Sequence, residues 1–184
     1  MNLPQPDSKR RMLAVLLTGT VGSGKTAVAT EMGVLLEASG VPSVVVDLDW
    51  LGWVHLPEGS PTPDELIAQN LAAIWPNLWA TGARHAILTR AVLATERLDA
   101  LRRAIPDADL TVVRLTAPPE VIVDRLRRRD AGTALEEHLE EFRATGAAME
   151  EAGIEDLVVE NDGRALREVA ADVLRRVGWP ATDA

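Results

Sequence analysis

The chain has 184 residues, 47% of them hydrophobic, which suits one domain with a substantial core and argues against disorder. It contains no cysteine, which excludes disulfides and thiolate chemistry. No apolar run approaches the roughly 18 to 20 residues that span a bilayer. Acids exceed bases 28 to 19, for a net charge of −9, so a nucleic acid is not an expected partner.

In chain order, residues 1–10 are polar and proline-bearing and read as a loose tail. "MLAVLLT" (12–18) is a short continuous apolar run, as expected of a strand buried on both faces. It leads straight into a glycine turn, so the N-terminus reads as a tail and a first strand rather than a signal peptide, and a soluble cytoplasmic protein is expected. Residues 25–39 read as a helix closed by Gly40 and Pro42. "SVVVDLD" (43–49) is a second strand, and the proline-rich stretch 55–65 is a loop. A helix over about 64–81 follows, capped by Thr62 or Asp64, with Pro76 marking a kink or restart. Strand three is "HAILTR" (85–90), and 95–105 is a helix with Leu98, Leu101 and Ile105 on its apolar face. Strand four covers 109–117, and a helix with prolines in its first turn covers 118–130. "DAGT" (130–133) breaks it before a helix over 134–150, with Leu135, Leu139, Phe142 and Met149 on one side. A fifth strand (156–161) and a last helix (163–177) complete the pattern. Strands alternating with helices predict an α/β fold in three layers, a five-stranded parallel sheet with helices on both faces and right-handed crossovers. No repeat or linker is visible, so residues 1–184 are expected to form a single domain.

The turn "GTVGSGKT" (19–26) satisfies G-x-x-x-x-G-K-[ST], the Walker A pattern, between a buried strand and a helix. Glycines allow backbone N–H groups to converge on one concavity. The helix that opens at Lys25 adds free amides and the positive end of its dipole. Lys25 supplies a mobile charge for the β- and γ-phosphates, and the Thr26 hydroxyl can ligate Mg²⁺. Gly19, Val21, Gly22, Ser23, Gly24, Lys25, Thr26 and Ala27 are the expected nucleotide cradle, with ATP and Mg²⁺ as ligands.

The γ-phosphate can go to water or to an acceptor. The residue after Asp47 is Leu48, not the glutamate by which motor and AAA-type ATPases activate water, and the N-K-x-D box of GTPases is absent. Strand two ends instead in Asp47-Leu48-Asp49. In such a sheet ligands gather at the carboxyl ends of the strands, and on a continuing strand two acids two apart point the same way. One fits a place near Mg²⁺ and the other a place near an acceptor hydroxyl, since phosphoryl transfer needs positioning, charge neutralisation and a carboxylate to orient the nucleophile. Equally, both acids can simply end a strand before a turn.

The chain resembles the nucleoside/nucleotide-kinase-like branch of the P-loop proteins: adenylate, shikimate, gluconate and adenylylsulfate kinases and the chloramphenicol phosphotransferase type. The resemblance covers nearly the whole chain in element order and rests on three places. They are the P-loop, the D-x-D, which resembles that of shikimate kinase, and "VIVDRLRRRD" (121–130), which resembles the helix entering the lid of adenylate kinases. It implies strand order 2-3-1-4-5, an ATP donor, a short lid region at 130–150, Asp47 in the metal shell and Asp49 at the acceptor. It also implies Arg125 stacked on adenine, Arg129 on the phosphates, and Asp162 and Gly163 of "ENDGR" at the adenine edge. The same arginines also suit a plain helix C-terminus. Strand three lacks the acid of adenylate kinases and ends in Thr89 and Arg90, so Arg90 falls to an acceptor or a transferred phosphate.

Four of the five tryptophans, Trp50, Trp53, Trp75 and Trp79, fall in residues 50–82, which the resemblance makes the acceptor-binding region. They fit an aromatic wall for a flat, partly apolar acceptor, such as a nucleoside-like compound, or a filler between this segment and the sheet. The expected activity is transfer of the γ-phosphate to a hydroxyl of a small molecule, with Lys25, Asp49, Arg90 and Arg129 carrying it, in a monomer or homodimer. A nucleoside monophosphate kinase and a nucleotide-binding accessory protein without transfer activity are the alternatives.

Overall fold

A computed structural model describes residues 11–181; the tail expected at 1–10 lies outside the described residues. The chain runs β1 (Met12–Thr18), α1 (Lys25–Ala38), β2 (Ser43–Asp47), a 3₁₀ turn (Leu48–Leu51), α2 (Pro63–Ala80), β3 (His85–Thr89) and α3 (Thr95–Ala104). Then come β4 (Ala108–Thr116), α4 (Pro119–Arg129), α5 (Thr133–Ala152), β5 (Leu157–Glu160) and α6 (Leu166–Arg176). The strands form one parallel sheet in the order β2-β3-β1-β4-β5, as the family resemblance implies.

Alternation along the strands feeds two cores. Met12, Ala14 and Leu16 of β1, with Ala86 and Leu88 of β3 and Val112 of β4, face α2 and α3 and pack on Leu71, Trp75, Leu98 and Leu101. Val15 and Leu17, with Ile87, Val113 and Leu115, face the other way onto Val28, Met32 and Leu35 of α1 and Val169 and Val173 of α6. Strand β1 is therefore apolar on both sides because it is covered on both sides. In register, Leu17 pairs with Thr89 and Thr89 with Asp47, so the carboxyl ends of β1, β3 and β2 arrive at one level.

Three expectations shift. Strand β2 stops at Asp47 rather than running to residue 49, because the Asp47 carboxylate accepts the Asp49 amide at 3.2 Å and starts the 3₁₀ turn. Helix α2 continues through Pro76 to Ala80 and does not restart. It is capped by Thr62, not Asp64: Thr62 Oγ1 accepts the Glu65 amide while the Glu65 carboxylate accepts the Thr62 amide, a reciprocal capping box. On α5, Met149 is buried but Leu135, Leu139 and Phe142 are only half-buried. Among the described residues, no helix is long and apolar enough to cross a membrane.

Candidate functional site

β1 delivers the chain at Thr18 into the glycine turn, and α1 takes it up at Lys25. Gly24 precedes the helix at φ +94°, and an added Cβ there would collide with Asn161 Nδ2. At Gly19 a Cβ would stand 2.6 Å from the Leu115 carbonyl oxygen. Both positions require glycine for this turn. No side chain caps α1, and its first turn holds no acid, so the free amides and dipole of that end face the turn.

Lys25 Nζ donates to the carbonyls of Gly19 and Thr20, both at 3.0 Å. Burial lowers the Lys25 pKa, opposed by the carboxylates of Asp49, Glu141 and Asp47. Thr26 Oγ1 donates to Asp47 Oδ2 at 3.0 Å, so a hydroxyl and a carboxylate from two elements converge where the turn opens. Ser23 is fully buried behind the turn, and its Oγ has no partner among the described residues.

Asp49, Asp64, Arg90 and Arg97 close the other side. Arg90 donates to Asp49 Oδ1 at 2.9 Å and also to Asp64 Oδ1, and Arg97 Nε pairs with Asp64 Oδ2 at 3.0 Å. Desolvation raises the Asp49 pKa; the Arg90 charge opposes this and the Asp47 charge adds to it. A carboxylate shifted this way is a stronger proton acceptor.

Arg125 reaches over the turn, with one amino group 2.6 Å from the Asn161 carbonyl and the other 3.4 Å from that of Gly22. Arg129 is held bidentately by Asp130, at 2.9 Å through both contacts, and Asp130 also bonds His138 Nδ1 at 2.9 Å. The Arg129 hydrogen bonds hold the Asp130 carboxyl below its usual range. Lys25, Thr26, Asp47, Asp49, Arg90, Arg97, Arg125, Arg129 and His138 border one cleft of about 750 Å³ between the glycine turn, the 3₁₀ turn, α4 and α5, and Asp64, Asp130 and Asn161 hold them without lining it.

Of the residues expected at the site, Val21, Gly22, Gly24, Lys25, Thr26, Ala27, Asp47, Asp49, Trp50, Trp53, Arg90, Arg125 and Arg129 line the cleft. Gly19 and Ser23 are buried behind it. Trp75 and Trp79 are not there. Trp75 is 6% exposed in the core beneath α2, and Trp79 packs on that core with Arg84 3.9 Å from its ring centroid. Two positions that share a helical face with Leu71 turn to the sheet, not to the cleft. Asp162 and Gly163 also lie off the cleft; their neighbour Asn161 makes the contact with the turn, its Nδ2 donating to the Ser23 carbonyl at 2.8 Å.

Sequence reasoning missed Asp64, Arg97, Asn161, His138 and Glu141. For Asp64 a signal existed: in "TPDE" the threonine and glutamate complete the capping box, which leaves the aspartate between them free. The other four carry no motif.

No protein-family model and no curated protein matches the chain. Solved structures do. A tunicamycin resistance protein of Deinococcus radiodurans is 22% identical, with TM-score 0.62 over 95% of this chain and 100% of that one. A gluconokinase of Sinorhizobium meliloti is 22% identical, with TM-score 0.60 over 92% and 94%. The Mycobacterium tuberculosis APS kinase in complex with AMPPNP and APS is 23% identical, with TM-score 0.57 over 92% and 99%. The chain has the three-layer fold of the P-loop kinases.

Proposed function

We propose that this chain is an ATP-dependent phosphotransferase that moves the γ-phosphate to a hydroxyl of a small molecule. One observation carries the reading: Asp49 and the Lys25–Thr26 end of the glycine turn border the same cleft. The residues present fit a magnesium nucleotide, because the N-terminal amides of α1 have no side-chain cap and no acid beside them, and Gly19 and Gly24 hold the turn in a conformation that a Cβ would break. The Thr26–Asp47 pair offers the oxygen donors Mg²⁺ prefers. Mg²⁺, when bound, neutralises charge on the β- and γ-phosphates.

In this mechanism Lys25 exchanges its two carbonyl partners for phosphate oxygens, Arg125 serves the base of the donor, and Arg129 serves its phosphates through the donor hydrogens that Asp130 leaves open. Asp49, its basicity raised, accepts the proton of the acceptor hydroxyl as that oxygen bonds to the γ-phosphorus and the bond to the β–γ bridging oxygen breaks. Arg90 fixes the carboxylate. Residues 130–150 act as the lid, and the activity belongs to the cytoplasm. The kinases among the structural neighbours support this chemistry in general terms.

Calorimetry with Mg·ATP and an ADP-release assay over an acceptor panel test it. Lys25→Ala weakens Mg·ATP by about tenfold or more, the worth of a charged hydrogen bond. Asp49→Asn keeps the affinity and lowers turnover by about 10²–10⁴. Unchanged affinity in the lysine variant removes the assignment. Stimulation by AMP, CMP, UMP or dTMP marks a nucleoside monophosphate kinase instead, and stimulation by nothing marks an accessory protein.

A further inference from the structure

Resting on the transferase reading, we infer that the acceptor is an uncharged or cationic hydroxyl compound with a flat apolar face, and that the acceptor end of the cleft rejects a phosphate or carboxylate group. The charge balance at that end is the first support. Arg90 bonds the carboxylates of both Asp49 and Asp64, and Arg97 bonds Asp64. Asp47 stands next to them as a further anion. An anionic acceptor seeking Arg90 must displace a carboxylate and then sit beside it, so like charges meet. The guanidinium groups here orient acids and offer little to an incoming anion. The donor end differs: Lys25 and Arg125 hydrogen-bond carbonyl oxygens and keep their positive charge available.

The second support is aromatic. Trp50 and Trp53 stack with ring centroids 5.0 Å apart and planes at 25°. Both line the cleft, yet they are 70% and 74% exposed. Two indoles stacked in water at the rim of a polar cleft present a flat apolar face, and a ring compound covers it. Hydroxyl contacts to Asp49 and ring contacts to the tryptophans then select for shape and neutrality together.

The test uses matched probes that differ by a phosphate: uridine against UMP, adenosine against AMP, and thymidine against dTMP. The donor site is first saturated with a non-hydrolysable ATP analogue, and binding is read by calorimetry, so no transfer is needed. In at least one pair the unphosphorylated member binds, and its phosphorylated partner is tenfold or more weaker. Trp53→Ala weakens that ring compound tenfold or more; at its exposed position the change leaves the fold intact. Asp64→Asn, which releases Arg90 and Arg97, narrows or reverses the preference. Equal or tighter binding of the phosphorylated members to the wild type overturns the inference, as do an inert Trp53→Ala and a failure of every ring compound to bind. The two readings fail separately. Neutral ring compounds that bind but receive no phosphate refute the transferase alone, and turnover on a phosphorylated acceptor refutes only the acceptor class.

Discussion

At the glycine-turn end of the cleft, the end proposed to take the donor, the lining is backbone with two cations anchored on carbonyl oxygens, Lys25 and Arg125, and a third, Arg129, held by Asp130. At the acceptor end it is side chains that bind one another, Arg90 to Asp49 and Asp64, and Trp50 to Trp53. The first end is shaped by chain conformation and is backed by the core through Ser23 and Asn161. The second is shaped by pairs that meet only after folding. On the proposed function, the backbone end takes the polyphosphate common to every reaction, and the side-chain end distinguishes one acceptor from another.

The largest expected effect separates the tryptophans, which stand within one segment but serve two roles. Trp75→Ala removes a buried indole from the core under α2 and costs about 3–5 kcal/mol of stability. Trp53→Ala removes a ring that is 74% exposed, and its stability stays within about 0.5 kcal/mol of wild type. Urea denaturation of both variants measures the difference. Similar losses from the two would erase the division between core and rim.

That division explains what the sequence disclosed. The donor end was legible because Gly19, Gly24, Lys25 and Thr26 sit at fixed spacings that the turn demands. The sheet was legible because a parallel sheet covered on both faces needs apolar strands like 12–18. The acceptor end was legible in part. The D-x-D at 47–49 announced two acids, but not that Asp47 would cap the turn carrying Asp49. Nothing local tied Arg90 to Asp64, 26 residues apart. The sequence leaves the four tryptophans open between wall and filler, because proximity in sequence says nothing about which side of α2 a ring takes. Trp75 follows Leu71 by four, and the helical repeat carries it to the sheet. The resemblance points to Asp162 and Gly163 at an adenine edge and is silent on Asn161, whose buried amide at the strand end reaches the turn.

A smaller effect probes the donor end through its backbone. Gly24→Ala places a Cβ at φ +94° against Asn161 Nδ2. The left-handed conformation costs a non-glycine residue about 1–2 kcal/mol, and pushing the amide off the Ser23 carbonyl adds about 1–3 kcal/mol. The loop moves to relieve this, and Mg·ATP affinity falls by about tenfold or more. A calorimetric titration that gives wild-type affinity would mean the cradle tolerates a side chain, and the distinction between the two ends would lose its basis.

Asn161→Ala gives a smaller effect than Gly24→Ala and the sharpest test of what holds the glycine turn in shape. It leaves the Ser23 carbonyl without its partner at 2.8 Å, costing about 1–3 kcal/mol, while the turn keeps its glycines. Combined with Gly24→Ala, it also removes the atom that the new Cβ strikes. The double variant should therefore lose less than the sum of the two single losses, by about 0.5–3 kcal/mol, the range of coupling between contacting residues. The φ penalty at position 24 and the unpartnered Ser23 carbonyl both remain, but the carbonyl's loss is counted once rather than twice. Additive losses would mean that Asn161 and Gly24 act independently, and that the turn owes its shape to α1 and β1 rather than to the amide at the end of β5.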